Sequence, residues 1–144
     1  MTVHMLKLCV GVDSVDDLEA WVERRHRLLA AHGEPLEHIH TTRMKPKRRD
    51  EILDGGSLYW VIKGMILARQ PIIDLRQVTG DDGISRCQIV MEPILHRTES
   101  QPKRAFQGWR YLKASDAPRD LRSLSGGEDL PEDFRRELAE LGLL

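Results

Sequence analysis

The feature that most constrains the fold is a four-residue turn between two long apolar segments. The turn 80–83 reads GDDG, a composition typical of hairpins, and the extended apolar segments 65–78 and 85–95 flank it. Pro71 lies inside the first segment and favours an edge position or a kink there, because proline lacks the N–H that a β-ladder uses. The sequence therefore predicts a long antiparallel hairpin.

An amphipathic helix is predicted near the N-terminus, after a first strand over residues 3–12. Ser14 can cap the helix, and apolar residues recur behind it at helical spacing. Gly33 is expected to end the helix, since glycine readily adopts the left-handed conformation of a C-terminal cap.

The remaining elements alternate between short strands and short helices. Lys63-Gly64 is either a tight turn or a bulge, and Pro102 lies in a polar segment that reads as a loop, 97–104. The other predicted elements are a strand 37–44, a short helix from Pro46 to Leu53 stopped by Gly55-Gly56, strands 57–62 and 106–112, and a C-terminal helix 130–141. This order predicts an α+β fold with a small mixed or antiparallel sheet or barrel.

Length and composition predict one globular domain. The chain has 144 residues, of which 40% are hydrophobic and 31% charged. A chain of this length buries enough surface to fold without a metal or disulfides. We therefore predict a single domain 1–144, with an α+β core 1–114 and an acidic loop and helix 115–144, and we expect no cofactor. Cys9 and Cys87 are expected to be reduced, packed thiols.

The N-terminal residues and the apolar segments predict a cytoplasmic location. Residues 1–12 lack the basic region and long apolar core of a signal peptide. No apolar segment is long enough to span a bilayer, so we expect no membrane partner.

The net charge of −1 conceals an uneven distribution. Residues 43–113 carry 14 basic and 8 acidic side chains, whereas residues 1–42 carry 4 and 7, and residues 114–144 carry 4 and 8. A basic middle between acidic ends indicates contact with an anionic partner.

Basic and aromatic residues occur together in this middle part. Phosphates bind cations, and bases stack on aromatic rings. The candidate nucleic-acid-binding residues are Arg43, Lys45, Lys47, Arg48 and Arg49 for phosphates, Tyr59, Trp109 and Arg110 for bases, and Arg69 for an anion in the cleft. The alternative is that the cations are solvated and the rings belong to the core; alternation with Leu58 and Ile62 favours the core for Trp60. The face shared by Trp109 and Tyr111 either stacks a base or packs under the terminal helix.

Arg69 lies inside an apolar segment and needs an anionic partner if it is buried. The simple period of two places it in phase with Leu75. Pairing with Asp74, Glu92 or Asp50 is favoured over binding of a phosphate or carboxylate ligand in a cleft.

Two further features support alternative functions. His38 and His40 share one strand face and could hold a metal with His4, His96 or Glu92, which would suit a small metal-dependent enzyme. The acidic C-terminal helix could instead dock on a protein partner. The sequence contains no GxSxG, HExxH or CxxC motif, so no catalytic residues are assigned.

Three segments carry a family resemblance. LKLCVGVDSVDDLEAW (6–21), TRMKPKRRDEILDGGSLYWVIKGMILARQPI (42–72) and FQGWRYL (106–112) resemble a bacterial family of unknown function found in alphaproteobacteria. This resemblance extends to about Asp116 and implies no activity and no functional residues.

A more remote resemblance is to the PUA-like folds, including the ASCH and EVE groups. These are small β-barrels that bind RNA or modified bases. Segment 48–64 is similar in layout, with a short helix, a glycine turn and a strand that would line the ligand cleft. It lacks the Gly-x-Lys signature expected after Leu53. Together with the basic cluster, this resemblance leads us to expect a non-enzymatic RNA- or nucleotide-binding module.

Overall fold

The computed structural model describes residues 1–121. The predicted helix 130–141, most of the predicted acidic unit 115–144 and the docking function assigned to it lie outside the described residues. Among the helices of residues 1–121, none is long and apolar enough to cross a membrane.

The described chain alternates seven strands with two α-helices and one 3₁₀ turn, which makes it a mixed α+β protein. The elements are β1 (Val3–Leu8), α1 (Val15–Ala31), β2 (His38–Thr42), α2 (Arg49–Leu53), β3 (Ser57–Ile62), β4 (Met65–Thr79), β5 (Ser85–Met91), β6 (His96–Pro102), β7 (Trp109–Lys113) and the 3₁₀ turn Ala114–Asp116.

All seven strands form one open, strongly curled sheet. Its order is β2-β5-β4-β3-β1-β7, and β6 also pairs with β4. Six strands spaced normally would place the two end strands about 24 Å apart if the sheet were flat. Yet Trp109 on β7 donates a hydrogen bond to the carbonyl of Met44, two residues after β2. The sheet therefore curls towards a barrel without closing, since within residues 1–121 no ladder joins β2 to β7.

The predicted hairpin is confirmed, and its first strand, β4, organises the sheet. The first part of β4 pairs with β3 and β6, and the second part pairs with β5. A bulge lies between Ile72 and Asp74, directly after Pro71. The bulge reverses the side-chain alternation, so that Gln70 is buried and Leu75 is buried five positions later. The prediction that Arg69 shares a face with Leu75 is therefore wrong.

The N-terminal helix is confirmed. The backbone N–H of Asp17 donates to the Ser14 side chain at 3.1 Å, as an N-cap requires. Leu18 and Val22 are buried against the sheet. Gly33 follows the helix with a φ of +64°, which fits its predicted role as the terminator.

The two glycine turns that flank β3 have different physical causes. A Cβ on Gly56 would lie 2.3 Å from the carbonyl oxygen of Ile52, so this position needs glycine for close packing. Lys63 and Gly64 both have positive φ, 49° and 82°, as in a two-residue type I′ hairpin turn. The tight turn, rather than a bulge, is the alternative that the structure adopts there.

The prediction of a loop over residues 97–104 is wrong. Residues 96–102 form β6, which pairs with the first part of β4. The segment is polar and contains Pro102, but Pro102 is its last residue, and Arg97 and Gln101 pair with Ala68 and Ile66 on β4. A tertiary partner thus overrides the local composition.

Apolar residues cover both faces of the sheet. The inner face, which α1 covers, carries Met5, Trp60 and Ile89, so the core position predicted for Trp60 is confirmed. The outer face carries a second cluster that includes Leu6 and Tyr59. Both cysteines are free thiols.

Candidate nucleic-acid interface

The predicted basic cluster lies on an exposed segment that leaves β2 and enters α2. We call residues 43–49 the basic segment. The side chains of Arg43, Lys45 and Lys47 are exposed and form no ion pair with any residue of the described chain. Three positive charges are therefore available to an anionic ligand.

Two aromatic residues of β7 hold the basic segment in place. The indole Nε1 of Trp109 donates to the carbonyl of Met44 at 2.7 Å. The Tyr111 hydroxyl accepts the backbone N–H groups of Lys47 at 2.8 Å and Arg48 at 3.2 Å. The two rings meet edge to face, 4.8 Å apart, so they share a face as predicted. Two clusters more than 60 residues apart in sequence thus form one surface.

The last two cations of the basic segment are partly neutralised. Arg48 pairs with Glu51 and lies 5.5 Å from the centre of the Tyr111 ring. Arg49 pairs with Asp74 at 3.0 Å. These contacts orient both guanidinium groups and place a carboxylate beside each, which reduces the positive potential around them.

The predicted stacking residues differ in exposure. Tyr59 and Trp109 are each only 5% exposed, so neither presents an open ring face. Tyr111 is 37% exposed and is the ring of this surface that a ligand can reach. Arg110 is exposed, with its guanidinium 5.3 Å from the Phe106 ring and bonded to the carbonyl of Gln107.

Arg69 has an intramolecular partner, as favoured from the sequence, but the partner is Asp120 rather than any of the three acids named. The two side chains form a bidentate pair of 2.8 and 2.7 Å. Arg69 also donates to the Ser57 hydroxyl at 2.9 Å. The guanidinium lowers the pKa of the Asp120 carboxyl, mainly through these hydrogen bonds. Since Asp120 follows Arg69 by 51 residues, local sequence gives no indication of the pair.

His38 and His40 share the inner face of β2, where His38 contacts Gln70 and Trp21 and His40 contacts Trp60. His38 Nδ1 lies 2.8 Å from the Gln70 amide nitrogen, and the Gln70 oxygen accepts from the Trp60 indole at 2.9 Å. Burial lowers the pKa of His38 to about 4, and the neighbouring His40 adds to this effect. His38 is therefore neutral at pH 7.

The described residues place no third ligand beside His38 and His40. Residues 1–121 bring no three His, Cys, Asp or Glu side chains together as a metal site. His4, one of the proposed ligands, instead accepts the backbone N–H of Ser57 at 3.0 Å.

Sequence reasoning missed Gln70 as a buried network residue. It is fully buried and connects His38, Trp60 and the carbonyl of Glu92. The available signal was an amide inside an apolar segment, but the bulge in β4 was needed to place Gln70, rather than Arg69, on the inner face.

Lys7 is a second residue that sequence reasoning missed. It lies on the same inner face of β1 as Val3 and Met5. Its cross-strand neighbours are Trp60 on β3 and Trp109 on β7. Burial lowers the pKa of His40, and the Lys7 ammonium lowers it further, which places these two groups in electrostatic range. We call Lys7, His40, Trp60 and Trp109 the seam cluster, because it lies where the curled sheet brings β7 towards the segment that follows β2.

The fold and this surface define a class: an α+β protein with a curled, open sheet and a basic, aromatic-anchored edge. The family model described as a protein of unknown function, DUF1489, matches residues 5–144. The chain therefore belongs to this family, which confirms the predicted membership of an uncharacterised family. The chain matches no curated protein, and it matches no solved structure.

Proposed function

We propose that this protein is an RNA- or nucleotide-binding module whose ligand lies along the basic segment, with Tyr111 and Arg110 beside it. The observation that carries the proposal is the anchoring of three unpaired cations on β7 by the Trp109 and Tyr111 hydrogen bonds. Cations on a fixed backbone lose less conformational freedom when phosphates bind than cations on a mobile loop. Tyr111 adds an accessible ring for a base.

The fold relationship and the location belong to the same proposal. The layout of α2, the glycine turn and β3, together with the curled sheet, supports a PUA-like relationship. Such domains bind RNA, which agrees with the proposed ligand. A cytoplasmic location and an alphaproteobacterial origin complete the proposal.

A variant that removes three charges tests the role of the basic segment. We expect R43Q/K45Q/K47Q to bind single-stranded RNA at least about tenfold more weakly than the parent protein, since each lost phosphate contact also loses counterion release. The slope of log affinity against log salt should fall by about 2, because a single-stranded contact contributes roughly 0.7. Fluorescence anisotropy with a labelled RNA at several salt concentrations measures both quantities.

The matched control lies on the exposed side of α1. R24Q/R25Q/R27Q also removes three exposed arginines for which the described residues supply no ion pair. This variant should bind RNA almost as tightly as the parent. Equal losses in the two triple variants, or a parent protein that does not bind RNA or heparin, would refute the proposal.

A further inference from the structure

Lys7 is a half-buried cation with no counter-ion in the part of the chain that the structure describes. Its ammonium forms no hydrogen bond or ion pair with residues 1–121, although it lies on the inner, apolar face of the sheet. The charge of Lys7 is therefore not neutralised within residues 1–121 and is available to an anionic ligand.

Near Lys7, the two indole N–H groups have hydrogen-bond acceptors, whereas the His40 ring has no hydrogen-bond partner within residues 1–121. The indole N–H groups of Trp60 and Trp109 are occupied by Gln70 and by the Met44 carbonyl. His40 packs edge-on against Trp60 at 5.6 Å and makes no hydrogen bond within residues 1–121. The seam cluster therefore offers one ammonium and one half-buried imidazole, next to two buried indoles.

We propose that the seam cluster binds the phosphomonoester of a nucleotide or of a nucleic-acid end, with Lys7 as the charged contact and His40 as a hydrogen-bonding contact. This inference rests on the proposed function, because the basic segment would hold the rest of the ligand. Trp109, the neighbour of Lys7, is bonded to the Met44 carbonyl of that segment. Trp109 thus links Lys7 to the basic segment.

A terminal phosphate suits this site better than an internal one. Lys7 lies on the inner face of β1, where its cross-strand neighbour Trp109 is almost fully buried. A phosphomonoester carries a charge of −1.5 to −2 near pH 7, whereas an internal diester carries a single negative charge. The terminal group therefore gains more from one ammonium.

The first test uses the unmodified protein. A ten-nucleotide oligouridine with a 5′-phosphate, a 3′-phosphate or only hydroxyl ends is bound to the full-length chain, and anisotropy gives each affinity. We expect one phosphorylated form to bind about tenfold to a hundredfold more tightly than the hydroxyl form, as for a charge-assisted contact. Equal affinity of all three RNAs would overturn the inference.

The second test changes Lys7 itself. K7M should abolish the preference for the phosphorylated end, and K7R should retain most of it. K113M is the matched control, since Lys113 belongs to the same β1–β7 ladder, opposite Val3 and four residues from Trp109. Retention of the preference in K7M, or its loss in K113M, would refute the assignment to Lys7.

K7M should also fold normally, because the ammonium has no stabilising partner in the described chain. Its thermal midpoint should equal or exceed that of the parent. A markedly lower midpoint would mean that Lys7 is structural, which would contradict the inference.

A third test compares the binding of uridine monophosphate with that of uridine, which shows whether a free nucleotide is enough. Comparison with RNA binding separates this inference from the proposed function. Tryptophan fluorescence with Trp60 and Trp109 beside Lys7 reports their binding. If uridine monophosphate binds through Lys7 but no RNA binds, the seam is supported and the role of the basic segment fails. If RNA binds through the basic segment with no end preference, the seam inference alone fails. If nothing binds, both fail.

Discussion

Two regions differ in whether their cations have carboxylate partners. One is the β4–β5 side with the neighbouring β6, and the other is the seam side, which we define as the basic segment and Lys7. On the β4–β5 side, Arg76 pairs with Glu37, Arg86 with Asp82, and Arg97 on β6 with Glu19. On the seam side, the first three cations of the basic segment and Lys7 have no carboxylate partner within residues 1–121. The arginines of the β4–β5 side are thus paired with carboxylates of the same molecule. The cations of the seam side remain available to an anionic ligand.

This difference shows why the net charge is a poor guide to binding. The total of −1 and the surplus in residues 43–113 do not reveal which cations are already neutralised. Exposed ion pairs add little stability, but they do reduce the potential that a phosphate experiences. The relevant quantities are therefore the number and the position of the cations without an internal acid. Those of the basic segment lie beside β7, whereas Arg24, Arg25 and Arg27 lie on α1.

Acidification should have the largest effect, and it should act through His38 on β2. The folded-state pKa of His38, about 4, lies below its ordinary value of 6.5. The unfolded chain therefore binds the proton more readily, and stability present above pH 6.5 is lost as pH falls towards 4. His38 should contribute about one extra proton taken up on unfolding near pH 5, and the lowered pKa values of His4 and His40 add to this uptake in the pH dependence of the free energy of unfolding. An NMR titration in which His38 has an ordinary pKa would contradict this.

The next effect concerns the Arg69–Asp120 pair. D120N should lower the free energy of unfolding by about 2 kcal/mol, less than loss of a fully buried pair, because both side chains keep roughly a quarter of their exposure. The pKa of Asp120 is depressed, so its contribution is complete above pH 4 and disappears as pH falls below that value. Urea denaturation of both proteins at pH 7 and pH 3 should show the gap closing at the lower pH. A constant gap would exclude an ionic cause.

A smaller effect is expected when the anchor of the basic segment loses its hydroxyl. Y111F leaves the N–H groups of Lys47 and Arg48 without their acceptor but keeps the ring. We expect a loss of about 1 kcal/mol in stability and a severalfold weaker RNA affinity, because the segment is less ordered before binding. Unchanged RNA affinity would mean that the anchoring does not matter for binding.

The smallest effect should come from the paired side. R86Q removes a cation that Asp82 already neutralises, so RNA affinity should equal that of the parent. R43Q removes the same kind of charge from the basic segment and should weaken binding measurably. If both single variants weaken RNA binding equally, the difference between the two sides has no functional meaning.

Local patterns were sufficient for much of the fold. The caps at Ser14 and Gly33 and the GDDG turn act through nearby atoms, so helix α1 and the β4–β5 hairpin were predictable. The hydrogen bonds that join the basic segment to β7 were not predictable, because their partners lie more than 60 residues apart in sequence.

The rest depends on partners that are distant in sequence. β6 is a strand because β4 pairs with it, and Arg69 is held by an acid 51 residues away. Lys7 gains its significance from cross-strand neighbours on β3 and β7, which no local period reveals. These features follow from sheet register and curl, so they emerge only once the strands are assembled.

The bulge divides β4 into two parts whose side chains alternate between the two faces of the sheet in opposite phase. Ile73 is the extra residue between two consecutive partners on β5, and its side chain is exposed. Deleting Ile73 would give the side chains of β4 one continuous alternation between the two faces of the sheet. Either Leu75 would then leave the core or Gln70 would move away from Trp60. The spacing between these two residues, and not only their chemical nature, is thus part of what specifies the interior of the molecule.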